Sequence, residues 1–256
     1  MTAALMTPST SHVLLIPSYN PGGLIIRTVQ EALTHWQPVW VVCDGSTDGS
    51  TALLQTMSKD IPNLRVIVMP FNQGKGAAVM EGLRQALEAG FTHALTMDAD
   101  GQHPAHLIPR FMNISQDHPD SMILGKPVFD DSAPQLRVQG RKISNFLADL
   151  DTLWMGIGDC LYGFRVYPIA PLLHIMQTHR FMRRFDFDIE AAVRLCWKKI
   201  HPINVDAPVK YLKADEGGIS HFNYWRDNAL LTWMHIRLLA GFIVRLPLLL
   251  WRKFDS

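Results

Sequence analysis

The sequence has little net charge, few cysteines and no recognisable leader. Its 24 Lys and Arg residues offset 23 Asp and Glu residues, which leaves a formal charge of +1 and no field that would favour nucleic acid. The three cysteines are far apart and lack paired zinc-ligand spacing, so we expect reduced, buried thiols of a cytoplasmic protein. Residues 1–12 contain neither a basic start nor a long apolar core, and we therefore expect no secretory signal.

A chain of 256 residues that is 48% hydrophobic can bury one complete α/β core. Short apolar runs bounded by turn formers predict buried strands, while Ile26, Val29 and Leu33 recur at helical spacing. This alternation predicts a Rossmann-like parallel sheet, which binds ligands beyond the carboxyl ends of its strands. The predicted strands span residues 13–16, 39–43, 65–69, 94–97 and 122–124.

The C-terminal residues 229–256 differ from the rest of the chain. They are rich in Leu, Ile, Trp and Phe, but charged residues and Pro247 leave no uninterrupted apolar run of about 18 residues, so we expect no membrane span. Arg237, Arg245 and Arg252 fall on one stripe of a predicted amphipathic helix. A basic stripe among apolar residues favours a helix in the membrane interface, with a docked helix or a dimer contact as the alternative.

Polar turns follow the first two predicted strands, with the sequences PSYN at residues 17–20 and DGSTDGS from Asp44. Asp44 can accept hydrogen bonds from a base or a ribose hydroxyl, whereas Asp48 is a typical turn residue. The second turn matches the opening of a calcium-binding EF-hand loop. Gln55 stands where that loop requires a bidentate Glu, and the turn follows a strand instead of a helix, which excludes this reading.

A segment of small residues, 72–78, leads from the third predicted strand into a helix. Glycines such as Gly74 let a ligand approach the backbone closely, and a helix N-terminus with Lys75 beside it favours a diphosphate. The spacing is not that of a P-loop, because the pattern G-x-x-x-x-G-K-[ST] is missing.

The segment DADGQHP, residues 98–104, follows the fourth predicted strand. Side chains two apart on an extended segment point to the same side, so Asp98, Asp100 and Gln102 can direct oxygens at one Mg²⁺ or Mn²⁺ ion. Such an ion would bridge the phosphates of a sugar nucleotide and stabilise the leaving diphosphate. Two carboxylates this close repel each other without a cation, which disfavours the alternative of a solvated acidic turn.

In this order, PSYN, DGSTDGS, NQGKGAA, DADGQHP and the later DCLYGFR resemble the family-2 glycosyltransferases with the A-type fold. The likeness is to the polyprenyl-phosphate (dolichyl-phosphate) mannosyl and glucosyl transferase branch, and it extends from about residue 12 to about residue 226. The resemblance implies a nucleotide-diphosphate sugar donor, such as GDP-mannose or UDP-glucose. Members commonly carry two acidic residues where this chain has Cys43-Asp44, which leaves one carboxylate for the nucleoside.

The resemblance also implies roles for individual residues. It places Asp44 at the nucleobase or ribose and Lys75 near the diphosphate, with the metal held by Asp98, Asp100 and Gln102. The residues expected to bind the nucleotide sugar are Pro17, Tyr19, Asn20, Asp44, Gly74, Lys75, Asp98 and Ala99. We predict a catalytic domain at residues 1–228, with a nucleotide half at about 12–126 and an acceptor half at about 127–228, followed by the helix 229–256.

The acceptor half contains the remaining candidates. Asp159 in DCLYGFR aligns with an acid implicated in the resembling branch, and we predict that it acts with Asp100 in catalysis, as a base or in acceptor positioning. The alternative is a structural carboxylate paired with Arg165. Guanidinium and ammonium groups match phosphate oxygens. The residues expected at an anionic acceptor are Lys126, Arg137, Arg141, Asp188 and His221, although Asp188 is equally suited to capping a helix.

The leading hypothesis is an inverting, metal-dependent hexosyltransferase that acts on a lipid-linked acceptor, foremost a polyprenyl phosphate, at the inner face of the membrane. A glycolipid hydroxyl or a hydrophobic aromatic hydroxyl would also fit a basic acceptor side. Other classes stay open, namely a sugar nucleotidyltransferase and a non-catalytic scaffold with a degenerate site. We expect no nucleic-acid partner, and a homo-oligomer remains open.

Overall fold

The computed structural model describes residues 6–128, 135–209 and 223–254. Within these ranges the chain forms a mixed seven-stranded sheet in the order β3-β2-β1-β4-β6-β5-β7. The strands are β1 (His12–Ser18), β2 (Val39–Asp44), β3 (Leu64–Met69), β4 (His93–Thr96), β5 (Ser121–Val128), β6 (Arg165–Pro168) and β7 (His201–Pro208). β6 pairs antiparallel with both β4 and β5, and the remaining neighbours pair in parallel.

Helices cover both faces of the sheet, so its central strands are buried on both sides. One core packs alternate residues of β1, including Val13 and Leu15, against α3 and α7. The other packs Leu14 and Ile16 against α1 and α4. The helices are α1 (Leu24–His35), α2 (Ser50–Asp60), α3 (Lys75–Glu88), α4 (Ile108–Asp117), α5 (Gln135–Asp151), α6 (Ile169–Thr178), α7 (Phe187–Trp197) and α8 (Tyr224–Phe254), with a short 3-10 helix at Ala105–Leu107.

The predicted α/β class is confirmed, and so are the first five strands. Each predicted run lies within or overlaps an observed strand, and the ends differ by a few residues. The three cysteines are free and buried, as expected. The predicted boundary near residue 126 does not divide the sheet, because β5 pairs with both β6 and β7. The two predicted halves therefore share one sheet, and their functional division stays a prediction.

The C-terminal helix α8 docks on α5 and α7. Met234, Leu238, Phe242 and Leu249 on its inner side are buried in the same core as α7. By length and composition, Trp225–Lys253 is apolar enough to cross a membrane. The expectation of no span, which counted uninterrupted apolar runs, is therefore not supported by composition.

The arginine stripe of α8 faces the domain. Arg237 lies 2.7 Å from Glu190 of α7, and Arg245 lies over the ring of Trp197 with 4.6 Å to its centroid. Arg252 donates a hydrogen bond of 3.0 Å to the carbonyl of Trp197. The stripe thus holds the helix on the domain, because its charges find buried partners there. This corrects the interpretation of the stripe as a membrane-facing feature.

The side of α8 that faces away from the domain is apolar and exposed. Trp225 is 83% exposed and Val244 is 79% exposed. Large apolar side chains continue along the same side of the helix. They are Trp233, Ile236, Leu239, Ile243, Leu248, Leu250 and Trp251. A contiguous apolar surface of this kind marks a contact with a membrane or a partner.

At the amino-terminal ends of β1 and β4, far along both strands from their carboxyl ends, His12 and His93 stack with ring centroids 4.5 Å apart. His12 Nε2 lies 3.0 Å from the hydroxyl of Ser115, and His93 Nε2 lies 2.9 Å from the carbonyl of Pro119. Burial, and then the charge of His93, lower the pKa of His12 from 6.5 to about 4. Burial also lowers the pKa of His93. Both rings are therefore neutral in the folded protein near pH 7.

These rings predict a loss of stability in acid. Unfolded His12 takes up a proton near pH 6.5, whereas folded His12 does so only near pH 4, so acid favours the unfolded state. His12 alone should lower the free energy of unfolding by about 3 kcal/mol between those pH values. Urea unfolding at a series of pH values measures the slope of the free energy of unfolding against pH. His12→Gln, which does not titrate, should flatten it, and an unchanged slope in that variant would contradict the prediction.

Candidate active site

Polar segments from several strands meet at one edge of the sheet. Because β1 to β4 are parallel, the turn after β1, Asp44 at the end of β2 and Asp98 after β4 lie at the same edge. β6 runs antiparallel to β4, which brings the preceding segment 159–164 to this edge as well. The first turn of α7 contributes Asp188. This edge is therefore the candidate active site.

Lys75 lies at the centre of a charge cluster. Its Nζ is 2.7 Å from Asp98 Oδ1 and 2.8 Å from Asp188 Oδ2. Burial opposes the charge of Lys75, but the two carboxylates hold its pKa above the ordinary value. Burial also opposes ionisation of Asp98, yet Lys75 and then His103 hold the pKa of Asp98 below its ordinary value. Lys75 and Asp98 are thus both charged at neutral pH.

His103 is a site residue that the sequence analysis did not single out. Its Nδ1 accepts a hydrogen bond of 3.0 Å from the backbone N–H of Asp98, and its Nε2 lies 3.6 Å from Asp98 Oδ2. Burial lowers the pKa of His103. A neutral ring that accepts at Nδ1 carries its proton on Nε2, facing the carboxylate. Its position in DADGQHP was the signal that could have identified it.

Gly163 lies directly against the cluster. A Cβ at this position would be 2.6 Å from Lys75 Nζ and 3.1 Å from Asp98 Oδ2, so a larger residue would displace the lysine. The carbonyl of Gly163 accepts a hydrogen bond of 2.9 Å from the hydroxyl of Thr96. Gly163 belongs to the motif DCLYGFR, but the motif alone does not explain why a glycine stands there. The reason is the closeness of Lys75 and Asp98 in the structure.

Arg165 is fully buried and holds the surrounding loops in place. It donates hydrogen bonds to the carbonyls of Tyr162 at 2.6 Å and Asp159 at 3.0 Å. It also donates to the carbonyl of Asp188 and to the hydroxyl of Tyr167. Arg165 therefore joins the segment before β6 to the first turn of α7, and so fixes the position of Asp188 relative to Lys75.

Asp100 differs from Asp98 in having no cationic partner within the described ranges. Its Oδ1 accepts a hydrogen bond of 3.0 Å from the backbone N–H of Gln102. Burial and then the negative charge of Asp98 raise the pKa of Asp100. Within the described part of the chain, the edge of the sheet thus carries one carboxylate without an ion-pair partner beside one that pairs with Lys75.

The predicted metal ligands fit a divalent cation in their chemistry. Asp98 and Asp100 are hard oxygen ligands, and the raised pKa of Asp100 reflects burial and a negative charge that a cation would balance. Within the described ranges, however, no group of three or more His, Cys, Asp or Glu side chains is arranged to hold an ion. An ion here would therefore need oxygens from a bound ligand, and the roles of Asp98, Asp100 and Gln102 stay predictions.

Asp44 organises the loop that follows β3. Its buried carboxylate accepts hydrogen bonds from the side chain of Asn72 at 3.0 Å and from the backbone N–H groups of Gln73 at 2.8 Å and Gly74 at 2.7 Å. Burial raises the pKa of Asp44 despite these bonds. Both oxygens thus have protein partners, and the expected contact with a nucleoside stays a prediction. This structural role of Asp44 was not predicted from the sequence.

The glycines before α3 admit a neighbouring backbone. A Cβ on Gly74 would collide with the carbonyl of Arg183, and one on Gly76 would collide with the carbonyl of Met182. The N–H of Ala77 donates a hydrogen bond of 3.0 Å to the carbonyl of Arg183. The sequence predicts close approach of a diphosphate at this helix N-terminus. In the structure the residues that approach it are 182–184, because the glycines leave room for them.

The turn after β1 interlocks with the turn after β2. The N–H of Asn20 donates to the hydroxyl of Ser46 at 3.0 Å, and the N–H of Thr47 donates to Asn20 Oδ1 at 2.7 Å. Pro17 is buried and Tyr19 is half-buried at this position. The carbonyl of Ala99 lies 3.4 Å from the hydroxyl of Thr28. These expected nucleotide-binding residues therefore lie at the same edge as Asp98, and ligand contacts for them stay predictions.

Asp159 is buried and has several partners. Its Oδ1 lies 2.6 Å from Arg141 and accepts the N–H groups of Leu161 at 3.0 Å and Tyr162 at 2.7 Å. Its Oδ2 accepts a hydrogen bond of 3.3 Å from the side chain of Asn145. This arrangement favours the structural alternative, although the ionic partner is Arg141 instead of Arg165. Arg141 is likewise directed at Asp159, so neither side chain is free for an acceptor in this structure.

The other expected acceptor residues have different surroundings. Lys126 is exposed near the carboxyl end of β5, at the same edge as the cluster. Asp188 is buried and pairs with Lys75, so it belongs to the charge cluster and not to an open acceptor surface. Arg137 lies on α5, but its side chain is outside the described part of the structure, and His221 is outside the described residues altogether.

Comparison with known proteins identifies relatives over most of the chain. The family model of glycosyl transferase family 2 matches residues 13–188. Polyprenol monophosphomannose synthase of Mycolicibacterium smegmatis is 28% identical over 224 residues, which cover 84% of this chain and 82% of that protein. Undecaprenyl-phosphate mannosyltransferase of Micrococcus luteus is 32% identical over 218 residues, which cover 79% of this chain and 84% of that protein.

The fold also resembles that of solved structures. One is glucosyl-3-phosphoglycerate synthase from Mycobacterium tuberculosis, crystallised with Mn²⁺, UDP-glucose and phosphoglyceric acid. The two structures superpose with a TM-score of 0.57 at 15% identity, covering 92% of this chain and 79% of the other. The likeness confirms the expected A-type glycosyltransferase fold. Since the family match spans more than half of the chain and includes Lys75, Asp98 and Asp188, this protein belongs to glycosyl transferase family 2.

Proposed function

We propose that this glycosyltransferase moves a hexose from a nucleotide-diphosphate sugar to a polyprenyl phosphate, with inversion at the anomeric carbon. The observation that carries the proposal is the charge arrangement at the sheet edge. A buried lysine lies between two carboxylates, and the neighbouring Asp100 lacks a cationic partner in the described part of the chain. This arrangement suits a diphosphate leaving group together with a divalent cation.

The proposed acceptor is supported by the surroundings of the expected base. A sugar or lipid hydroxyl needs a general base to remove its proton, whereas a phosphate is already an anion and needs none. The expected base, Asp159, is buried and bonded to Arg141, Asn145 and two backbone N–H groups. A phosphate acceptor is therefore favoured over a hydroxyl. Two mannosyl relatives support the same choice by their names, since one is a synthase of polyprenol monophosphomannose and the other is an undecaprenyl-phosphate mannosyltransferase.

The proposed reaction is a single displacement. An oxygen of the acceptor phosphate forms a bond to the anomeric carbon, the bond between that carbon and the donor diphosphate breaks, and the nucleoside diphosphate leaves. Lys75 is charged and lies next to Asp98, so it can stabilise the negative charge that grows on the departing diphosphate. Asp188 and Gly163 hold that ammonium in place, the first by an ion pair and the second by leaving it room.

Asp98 and Asp100, with Gln102 beside them, would hold Mg²⁺ or Mn²⁺. When bound, such an ion supplies positive charge to the diphosphate. The chain's own contribution is to keep Asp98 ionised beside Lys75 and, among the described residues, to leave Asp100 without an ion-pair partner.

The proposal is tested by a screen of GDP- and UDP-sugars with a short-chain polyprenyl phosphate, in Mn²⁺, Mg²⁺ or EDTA. Mass spectrometry should detect a polyprenyl-phosphate hexose in metal and none in EDTA. Transfer only to hydroxyl acceptors would overturn the choice of acceptor. Release of pyrophosphate from a nucleoside triphosphate and a sugar phosphate would indicate a nucleotidyltransferase instead. Weak, metal-independent binding of every nucleotide without turnover would indicate a scaffold.

A lipid acceptor requires access to a membrane, and we propose that the outer face of α8 provides it at the cytoplasmic surface. The arginine stripe fastens the inner face to the domain, which leaves the apolar outer face with its exposed tryptophans for the lipid. Tryptophan side chains favour the interface between headgroups and acyl chains. The helix would therefore lie along the membrane surface with its apolar side in the lipid.

This geometry predicts that one charge on the outer face will weaken membrane binding. Ile243→Glu places a carboxylate at a position that is 61% exposed on α8. Recovery with floating vesicles of phosphatidylethanolamine and phosphatidylglycerol should fall several-fold, because ionised glutamate is costly to insert. Leu53→Glu, at a position on α2 that is 53% exposed, is the matched control and should float like the wild type. Equal flotation of all three proteins would remove the membrane proposal.

A further inference from the structure

Arg237 of α8 makes contacts that extend from the C-terminal helix towards the candidate active site. Its guanidinium lies 2.7 Å from Glu190 Oε2 and 3.9 Å from Asp186 Oδ2. It also lies over the ring of Phe181, with 3.8 Å to the centroid. One side chain of α8 thus touches three residues in and around the first turn of α7.

Glu190 makes this contact a strong one. The residue is fully buried, and its carboxylate pairs with Arg194 of the same helix at 2.7 Å as well as with Arg237. A buried carboxylate is stable only when its charge is paired, so loss of either arginine leaves part of that charge uncompensated. Arg237 therefore ties α8 to the first turn of α7.

Asp186 connects the same contact to a segment that lies over the beginning of α3. Its carboxylate accepts hydrogen bonds from the N–H groups of Met182 at 3.0 Å and Arg184 at 2.9 Å. These bonds shape residues 181–188, which we call the covering segment. Its Arg183 carbonyl accepts the N–H of Ala77, the third residue of α3. The covering segment thus rests on the beginning of the helix that carries Lys75.

The covering segment ends at Asp188, the partner of Lys75. Asp188 and Glu190 lie on the first turn of α7, so a shift of that turn moves both carboxylates together. The distance of 2.8 Å between Lys75 and Asp188 depends on where this turn lies. A continuous series of contacts therefore runs from Arg237 through Asp186 and Glu190 to Asp188 and Lys75.

We propose that Arg237 is a positioning residue, through which the C-terminal helix holds the covering segment and Asp188 in register with Lys75. The inference rests on the proposed function, in which Lys75 stabilises the departing diphosphate. It gives α8 a second role beyond membrane contact, because the helix with an apolar outer face also supports the catalytic cluster from its inner face. Arg237 itself touches no reacting atom.

The test compares Arg237→Met with Arg245→Met in the full-length protein. Both arginines lie on the inner side of α8 near aromatic rings, but Arg245 lies over Trp197 and donates to the carbonyl of Gly241 in α8 itself. Arg237→Met should lower kcat by about tenfold, with a smaller change in KM for the donor, because the group it orients acts in the transition state. Arg245→Met should leave kcat within about twofold of the wild type. Arg237→Lys, which keeps the charge, should recover most of the loss.

A second measurement does not depend on turnover. Hydrogen exchange at the backbone amides of Met182, Arg184 and Ala77 should become faster in Arg237→Met and stay unchanged in Arg245→Met. If exchange is faster in Arg237→Met but the wild type transfers no sugar, the positioning role of Arg237 stands and the proposed function is refuted. Unchanged exchange together with unchanged kcat in Arg237→Met would overturn the inference. An equal loss of kcat in both methionine variants would also overturn it, since general destabilisation would then explain the effect.

Discussion

Replacing Asp100 with asparagine is expected to reduce kcat/KM for sugar transfer by about 100-fold or more, the cost of removing one group that stabilises charge in a transition state. The fold should survive, because Asp100 makes no ion pair in the described ranges. Burial and the charge of Asp98 raise its pKa, so ionised Asp100 destabilises the folded protein at neutral pH. The melting temperature of the variant should therefore equal or exceed that of the wild type.

The control for this variant is Asp117→Asn on α4, which makes the same chemical change at an exposed position. It should alter neither transfer nor the melting temperature. Calorimetric titration of each protein with Mn²⁺, in the presence of the nucleoside diphosphate, measures binding of the ion. It separates loss of ion binding from loss of donor binding. Full turnover of Asp100→Asn would refute the proposed role of this carboxylate.

Replacing Lys75 with methionine is expected to abolish measurable transfer and to lower the free energy of unfolding by about 3 kcal/mol, the cost of leaving a buried charge without its partner. Methionine keeps much of the side-chain volume but removes the ammonium from between Asp98 and Asp188. Asp188 Oδ1 is buried and has no hydrogen-bond partner among the described residues, so within them only Lys75 compensates the charge of this carboxylate. Urea unfolding and a single-turnover assay measure the two effects separately.

The double variant Lys75→Met/Asp188→Asn separates stability from chemistry. Neutralising Asp188 removes the more buried of the two carboxylate charges that lose their partner, so part of the lost stability should return. Transfer should stay absent, because the ammonium that stabilises the diphosphate is still missing. Recovery of both stability and transfer in the double variant would mean that Lys75 acts only in the fold. Asp188→Asn alone completes the thermodynamic cycle and gives the coupling energy of the pair.

The sheet could be predicted where its strands contain an apolar run. β1 to β5 each contain a short apolar run between turn formers, and such runs have few alternatives to a buried strand. β6 spans Arg165–Pro168 and begins with a buried arginine, so it lacks the apolar run that marks β4, which is equally short. It is held by its neighbours β4 and β5 instead.

In α1 the buried residues include Ile25 and Val29, while the predicted Ile26 is only half-buried, because the helix is rotated from the expected face.

The meeting of the polar motifs at one edge of the sheet was predictable, but the contacts of their side chains were less so. Asp98 and Lys75 belong to polar motifs at strand ends, and parallel topology brings such motifs together. Asp44 and Asp159 belong to equally polar motifs, yet their carboxylates bond to the protein. Composition does not distinguish an acid that faces a ligand from one that orders a loop, since both need the same chemical group.

The amino-acid order was sufficient for the α/β class, the edge of the sheet where the polar motifs meet and membership of a glycosyltransferase family, because local periodicity and motif order carry that information. The pairing of charges depends on distances between residues far apart in the chain. Lys75 pairs with Asp188, which lies more than a hundred residues further along the chain. Arg237 pairs with Glu190 of the domain, although the pattern of its helix is typical of one at a membrane surface. Only packing of the whole chain selects among partners that the sequence leaves equally possible.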